Sequence, residues 1–149
     1  MVNTKINPAK AKLSLYEEAL GRDIRLTKST QATTGVSEFN LSISPTGDLD
    51  VIAGSNNIKQ AIEIKLNTER GELSIHPQFG LVPVMGQKGT KFLNLDLYLS
   101  LHSTMLSDGR IKELVGTKVN TTGDTVRVQT KVYVIGQVPY VPLSFTLGG

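Results

Sequence analysis

Glu72 and His76 stand four residues apart in NTERGELSIHPQFG, residues 67 to 80. On a helix that spacing puts both side chains on one face, the geometry that short zinc motifs use. Pro77 opposes it. Its ring disfavours the helical region for the preceding residue, so His76 is expected on an extended loop. The second histidine, His102, has Asp96 nearby in sequence but no metal-ligand spacing, and two histidines without a spaced partner motif are what chance gives a chain of 149 residues. Glu69 and Glu72 could pair across a turn as the carboxylates of a glycosidase do, yet acids flanking a helix end are usually solvated. Neither GxSxG nor a phosphate-cradling glycine loop occurs. Arg70, Arg110 and Arg127 suit partner carboxylates. No catalytic, cofactor-binding or metal-ligating residue is expected, and the chemistry that remains is that of an interaction protein.

Composition points the same way. With no cysteine, disulfides, thiolate metal sites and thiol nucleophiles are excluded, and nothing suggests an oxidising compartment. No apolar run approaches the roughly 20 residues needed to cross a bilayer, and MVNTKINPAKAKLSLYEEAL lacks the apolar core of a signal peptide, so a soluble intracellular protein is expected. The net charge of +3 comes from 16 basic and 13 acidic residues spread along the chain, with 5% aromatics; nucleic-acid and membrane partners are not expected. A hydrophobic content of 39% supports one domain spanning 1–149, with the polar, lysine-rich residues 1–12 as a flexible arm.

The elements that must position these residues follow from periodicity. Leu13, Tyr16, Ala19 and Leu20 fit a short helix closed by Gly21. A strand is expected over 23–28, a loop over TKSTQATTG, and a second strand over EFNLSIS with Phe39, Leu41 and Ile43 on one side. Pro45 and Gly47 turn the chain into a short strand around DLDV. A helix follows, with Ser55 as N-cap, Ile58, Ala61, Ile62, Lys65 and Leu66 along one stripe, and Gly71 as its close. LVPVMGQKG is expected to be irregular. In KFLNLDLYLSLHSTML, residues 91 to 106, Leu93, Leu95, Leu97, Leu99 and Leu101 alternate as in a half-buried strand, but leucine favours helices and the length exceeds the common strand range. A helix capped by Thr90 is therefore expected, with one row of Leu93, Leu97, Leu101 and Met105 and another of Phe92, Leu95, Leu99 and Leu106. DGR then turns into the strand IKELVGTKV, NTTGD makes a hairpin, TVRVQTKVYVIG is the clearest strand, and YVPLSFTLGG, with Pro139 and Pro142, reads as an edge strand.

Two stretches carry a family resemblance covering about two thirds of the chain. NNIKQAIEIKLNTERGELSIHPQFG has a helix, a short charged turn, and a Pro-x-aromatic-Gly close, with Gly71, Pro77, Phe79 and Gly80 at the matching positions. In SDGRIKELVGTKV, Arg110 and Ile111 match a glutamate-proline-arginine-apolar motif, Asp108 standing for the glutamate and Gly109 for the proline. In these features the chain resembles the baseplate wedge and sheath-initiator family of contractile phage tails, the lysozyme-like baseplate wedge proteins. The resemblance implies an α+β fold: a small mixed or antiparallel sheet, two main helices on one face, and exposed edge strands. It further implies a structural, non-enzymatic virion protein of the tail baseplate, assembled in the host cytoplasm. Six copies would ring the tail tube, joining wedge proteins, tube and sheath subunits, and would template the first sheath ring by β-strand addition. The expected partner-binding residues are Gly71, Glu72, Pro77, Phe79, Gly80, Asp108, Arg110, Ile111, Val141, Leu143 and Phe145. The donated edge is expected in 140–147 or in 125–135, and deletion of 140–149 is expected to leave the domain folded. The competing readings are a tube-associated or tail-completion protein of a non-contractile phage and a baseplate cell-wall glycosidase.

Overall fold

A computed structural model describes residues 19–30, 37–82, 93–122, 125–135 and 140–147. The expected arm, Leu13 and Tyr16 of the first helix, the Thr90 cap and most of LVPVMGQKG lie outside the described residues. In chain order the elements are β1 (Arg22–Ile24), β2 (Leu26–Thr30), β3 (Ser37–Leu41), β4 (Val51–Ala53), α1 (Gly54–Asn67), α2 (Leu93–Leu106), β5 (Ile111–Thr122), β6 (Thr125–Val134) and β7 (Val141–Leu147). This is an α+β fold in which β1 pairs with β4, β2 with β3, and β6 lies between β5 and β7, every ladder antiparallel.

The three-stranded sheet carries the core. Along β6, Val126, Val128, Thr130, Val132 and Val134 are all buried, and Arg127, Gln129 and Lys131 between them are exposed, so one face is dry and the other wet. Val141, Leu143 and Phe145 of β7 extend the dry face, and both helices cover it with Ile58, Ile62 and Leu66 from α1 and Leu97, Leu101 and Met105 from α2. Each such side chain contributes about 1.5–3 kcal/mol on burial. The expected pair of helices on one sheet face is found. The expectation that 125–135 could offer an open edge is corrected: β6 is the central strand, its main chain engaged by β5 on one side and β7 on the other.

The leucine alternation of 93–101 is realised as helix, and the geometry explains why it mimicked a strand. Two residues advance about 200° around a helix axis, so leucines spaced by two fall on opposite faces. Leu97 and Leu101 are buried (2% and 0% exposed), whereas Leu95 and Leu99 are about half exposed (52% and 55%).

Three boundaries differ from expectation. The strand expected over 23–28 is two strands broken at Arg25, whose N–H donates to the Asp50 carbonyl while its own carbonyl accepts from Ser42 N–H, so one residue serves two neighbours. At that break the Gln60 side chain acts as a surrogate strand residue: its Nε2 donates to the Ile24 carbonyl and its Oε1 accepts from Leu26 N–H, both at 2.8 Å. Helix α1 starts earlier than Ser55, with Ala53 as N-cap and no side-chain capping bond, because Gly54 at φ +63° turns the chain directly from β4 into the helix. The helix also ends before Gly71, at Asn67, where Thr68 is extended; Asn67 Nδ2 and Thr68 Oγ1 donate back to the Glu63 and Ile64 carbonyls of the last turn.

Candidate interaction surfaces

The segment that follows α1 is a closed loop. Arg70 N–H donates to the Leu81 carbonyl and Leu81 N–H to the Thr68 carbonyl, both at 2.8 Å, which ties its two ends together. Gly80 sits in that closure at φ +102°, where an added Cβ would collide with the Thr68 carbonyl oxygen and lie 2.9 Å from Glu69 C. A side chain is excluded there by both conformation and space. Gly71, at φ +92°, faces open space, and Glu72 accepts from Glu69 N–H through Oε2. His76 and Pro77 are exposed at the loop's surface, with Ile75 beside them 85% exposed. Among the described residues no three His, Asp or Glu side chains gather as a metal site would require. The Glu69–Glu72 pair lies on the exposed turn rather than in a cleft.

The second predicted motif folds into a clamp. Asp108 and Arg110 form a bidentate pair, Nε to Oδ1 at 2.9 Å and Nη2 to Oδ2 at 2.7 Å, and Arg110 Nη1 donates to the Leu20 carbonyl at 3.1 Å. That carbonyl also accepts from Asn57 Nδ2, just before Gly21 at φ +76°. The clamp therefore ties the helical turn at 19–20, α1 and the α2–β5 turn together. The hydrogen bonds from Arg110 hold the Asp108 carboxyl below the usual carboxylate range, against burial that raises it; the same bonds push the Arg110 guanidinium up. Ile111, next in the chain, is buried in the core.

Lys65 joins the loop to the clamp. Its Nζ bonds Ser107 Oγ, lies 5.7 Å from the Phe79 ring centroid, and is depressed in pKa chiefly by desolvation. Thr104 Oγ1 donates to the Gly80 carbonyl, adding a link from α2. The fold thus brings Phe79, Gly80, Asp108 and Arg110 to one end of the molecule. A shallow groove of about 380 Å³ runs there along Lys65, His76, Pro77, Phe79 and Ser107.

The third group, Val141, Leu143 and Phe145, lies elsewhere in role. Their side chains are 3%, 5% and 8% exposed and belong to the core. The expectation that residues 140–149 can be removed from a folded domain is corrected on that ground, since truncation would strip three core side chains from beneath α1. Among the described residues, what β7 leaves open is main chain. Ile135 N–H donates to Arg110 on the β5 side, and alternate residues of a strand aim their polar groups the same way. By that parity Val126, Val128, Thr130 and Val132 aim at β7, where they pair with Leu147, Phe145, Leu143 and Val141. Pro142, Ser144 and Thr146 therefore turn their main-chain groups outward. Pro142 has no N–H to lose on that side, which is why a proline is tolerated in this strand.

No family model matches the chain, and no curated protein matches it. Solved structures do, among them the following two. One is the 1.44 Å crystal structure of a Geobacter sulfurreducens protein provisionally named a tail lysozyme, with a TM-score of 0.51 and 19% identity over 62% of this chain and 88% of that one. The other is a chain of the anti-feeding prophage baseplate, determined by cryo-EM with sixfold symmetry imposed, with a TM-score of 0.56 and 17% identity over 80% of this chain and 90% of that one. Two helices on one face of a small antiparallel sheet are thus a fold this chain shares with a component of a baseplate.

Proposed function

We propose that the chain is a non-catalytic structural component of the baseplate of a contractile tail or injection machine, and that it joins wedge to tube and starts the sheath by accepting or donating a strand along β7. The observation that carries this reading is the asymmetry of the sheet's margins. On β5 the pairing with β6 is interrupted by two bulges, between Ile111 and Glu113 and between Val115 and Lys118, and Lys112, Glu113 and Lys118 line it. Bulges and charges of this kind discourage added strands. β7 pairs with β6 in unbroken register from Val141 to Leu147. Its outward N–H groups at Ser144 and Thr146 are the donors an added strand would use, and its register is marked by Pro142, which offers no donor.

The likeness to a sixfold baseplate supports a ring of six copies. The Asp108–Arg110 clamp and the loop from Gly71 to Gly80 contribute by holding one end of the body in a fixed shape for a wedge neighbour. The deciding experiment replaces Ser144 and Thr146 with proline, which deletes the outward donors while leaving the bonds to β6 in place. Circular dichroism is expected to be unchanged and sheath assembly on purified baseplates to be lost. Sheaths of normal length on the doubly substituted protein would defeat the reading. A turbidity assay on peptidoglycan separates the glycosidase alternative, for which clearing that depends on Glu69 or Glu72 is the required outcome.

A further inference from the structure

Among the described residues, the outward face of α2 is a seam with no packed partner. Leu95, Leu99, His102 and Leu106 follow one another at spacings of four, three and four, which places all four within a narrow arc opposite the buried row. The three leucines are 52%, 55% and 37% exposed, and His102 is shielded by Tyr98, whose ring stacks on it at 5.7 Å. Alternating steps of three and four are the period at which one helix meets another. Among residues 95–106 the only carboxylate is Asp96, exposed beside the seam.

We propose that this seam is a docking site for an amphipathic α-helix of another baseplate component, one that carries its own three-four spaced aliphatic row and a lysine or arginine opposite Asp96. The proposal rests on the baseplate reading given above. A second copy of this chain is disfavoured by size: three half-exposed leucines offer at most a few hundred Å², against roughly 800 Å² per partner in a stable interface. A surface this small suits a helix that other contacts in an assembly already hold nearby. It equally suits an assembly step, because the chain alone would remain monomeric. Asp96 supplies the charge that selects a basic flank and sets the helix direction.

The test installs a photoreactive benzoylphenylalanine in place of Leu99, of Lys59, exposed on α1 and away from the seam, or of Thr146, on the β7 edge, and irradiates assembled baseplates. From position 99, crosslinks are expected to residues three and four apart in one segment of a different baseplate chain, with at least tenfold lower yield from position 59. Crosslinks to residues two apart would mean a strand occupies the seam and would overturn the proposal, as would crosslinks between copies in the isolated protein. A link from position 146 with none from position 99 would sink this inference and leave the baseplate reading standing; silence from both would remove both. Leu99→Lys provides a second readout: a folded protein incorporated into baseplates at least tenfold less well, whereas normal incorporation would overturn the proposal.

Discussion

The two helices have the same length and cover the same sheet face, yet their outer rows are opposites. On α1 the outward positions are Asn56, Lys59, Glu63 and Asn67; on α2 they are Leu95, Leu99, His102 and Leu106. Glu63 reaches Lys28 at 3.0 Å, so α1 is finished as a solvated surface. α2 is not finished in that sense, because its apolar residues run around both sides of the axis. A helix that is hydrophobic on two faces needs two neighbours, and the sheet supplies one.

Stability measurements can break this comparison most sharply within α2. Leu101→Ala in the buried row is expected to cost about 2–5 kcal/mol by urea unfolding. Leu99→Ala, two residues away, is expected to stay within about 0.5 kcal/mol in the isolated protein. Equal losses at the two positions would mean that the outer row is covered by the chain itself. Next in size comes the clamp at the end of α2. Arg110→Ala leaves the Asp108 carboxylate without its pair and the Leu20 carbonyl short of a donor, so a loss of about 1–3 kcal/mol is expected.

The sign of the pH dependence follows from Asp108. Its folded-state pKa is depressed below the ordinary 3.8, so its contribution is present above that value and is lost as pH falls through the lower folded value. Asp108→Asn is therefore expected to flatten the acid limb of the stability profile; an unchanged limb would assign it to other carboxylates. On α1, Gln60→Ala removes both bonds to the β1–β2 break, and a loss of about 1–2 kcal/mol with faster amide exchange at Leu26 is expected. Smallest of all, Lys59→Leu on the outer row of α1 is expected to change stability by less than about 0.5 kcal/mol. A large gain there would show that α1 also buries its outer face.

Much of the molecule was legible before its tertiary structure. The alternation of 126–134 named the residues that fill the dry face of β6, Gly80 and Pro77 named a shaped loop, and Pro142 named an edge strand. Gln60 was missed, since a glutamine two positions from Ile58 and from Ile62, off the apolar stripe, carries no local sign that its amide will complete a broken strand 34 residues away. The break at Arg25 was missed for a related reason: it arises from two different neighbours, Asp50 taking the N–H and Ser42 the carbonyl of one residue's main chain.

Local periodicity and propensity alone determined which segments are helix or strand, because those preferences act between residues a few positions apart. Only the tertiary structure decided which of two equally apolar leucine rows faces inward, which strand lies in the middle of the sheet, and that Arg110 spends its guanidinium on Asp108 and Leu20. Those choices depend on contacts between segments far apart in the chain, where the free energy of burying a row or pairing an edge is set by whatever the fold brings opposite it.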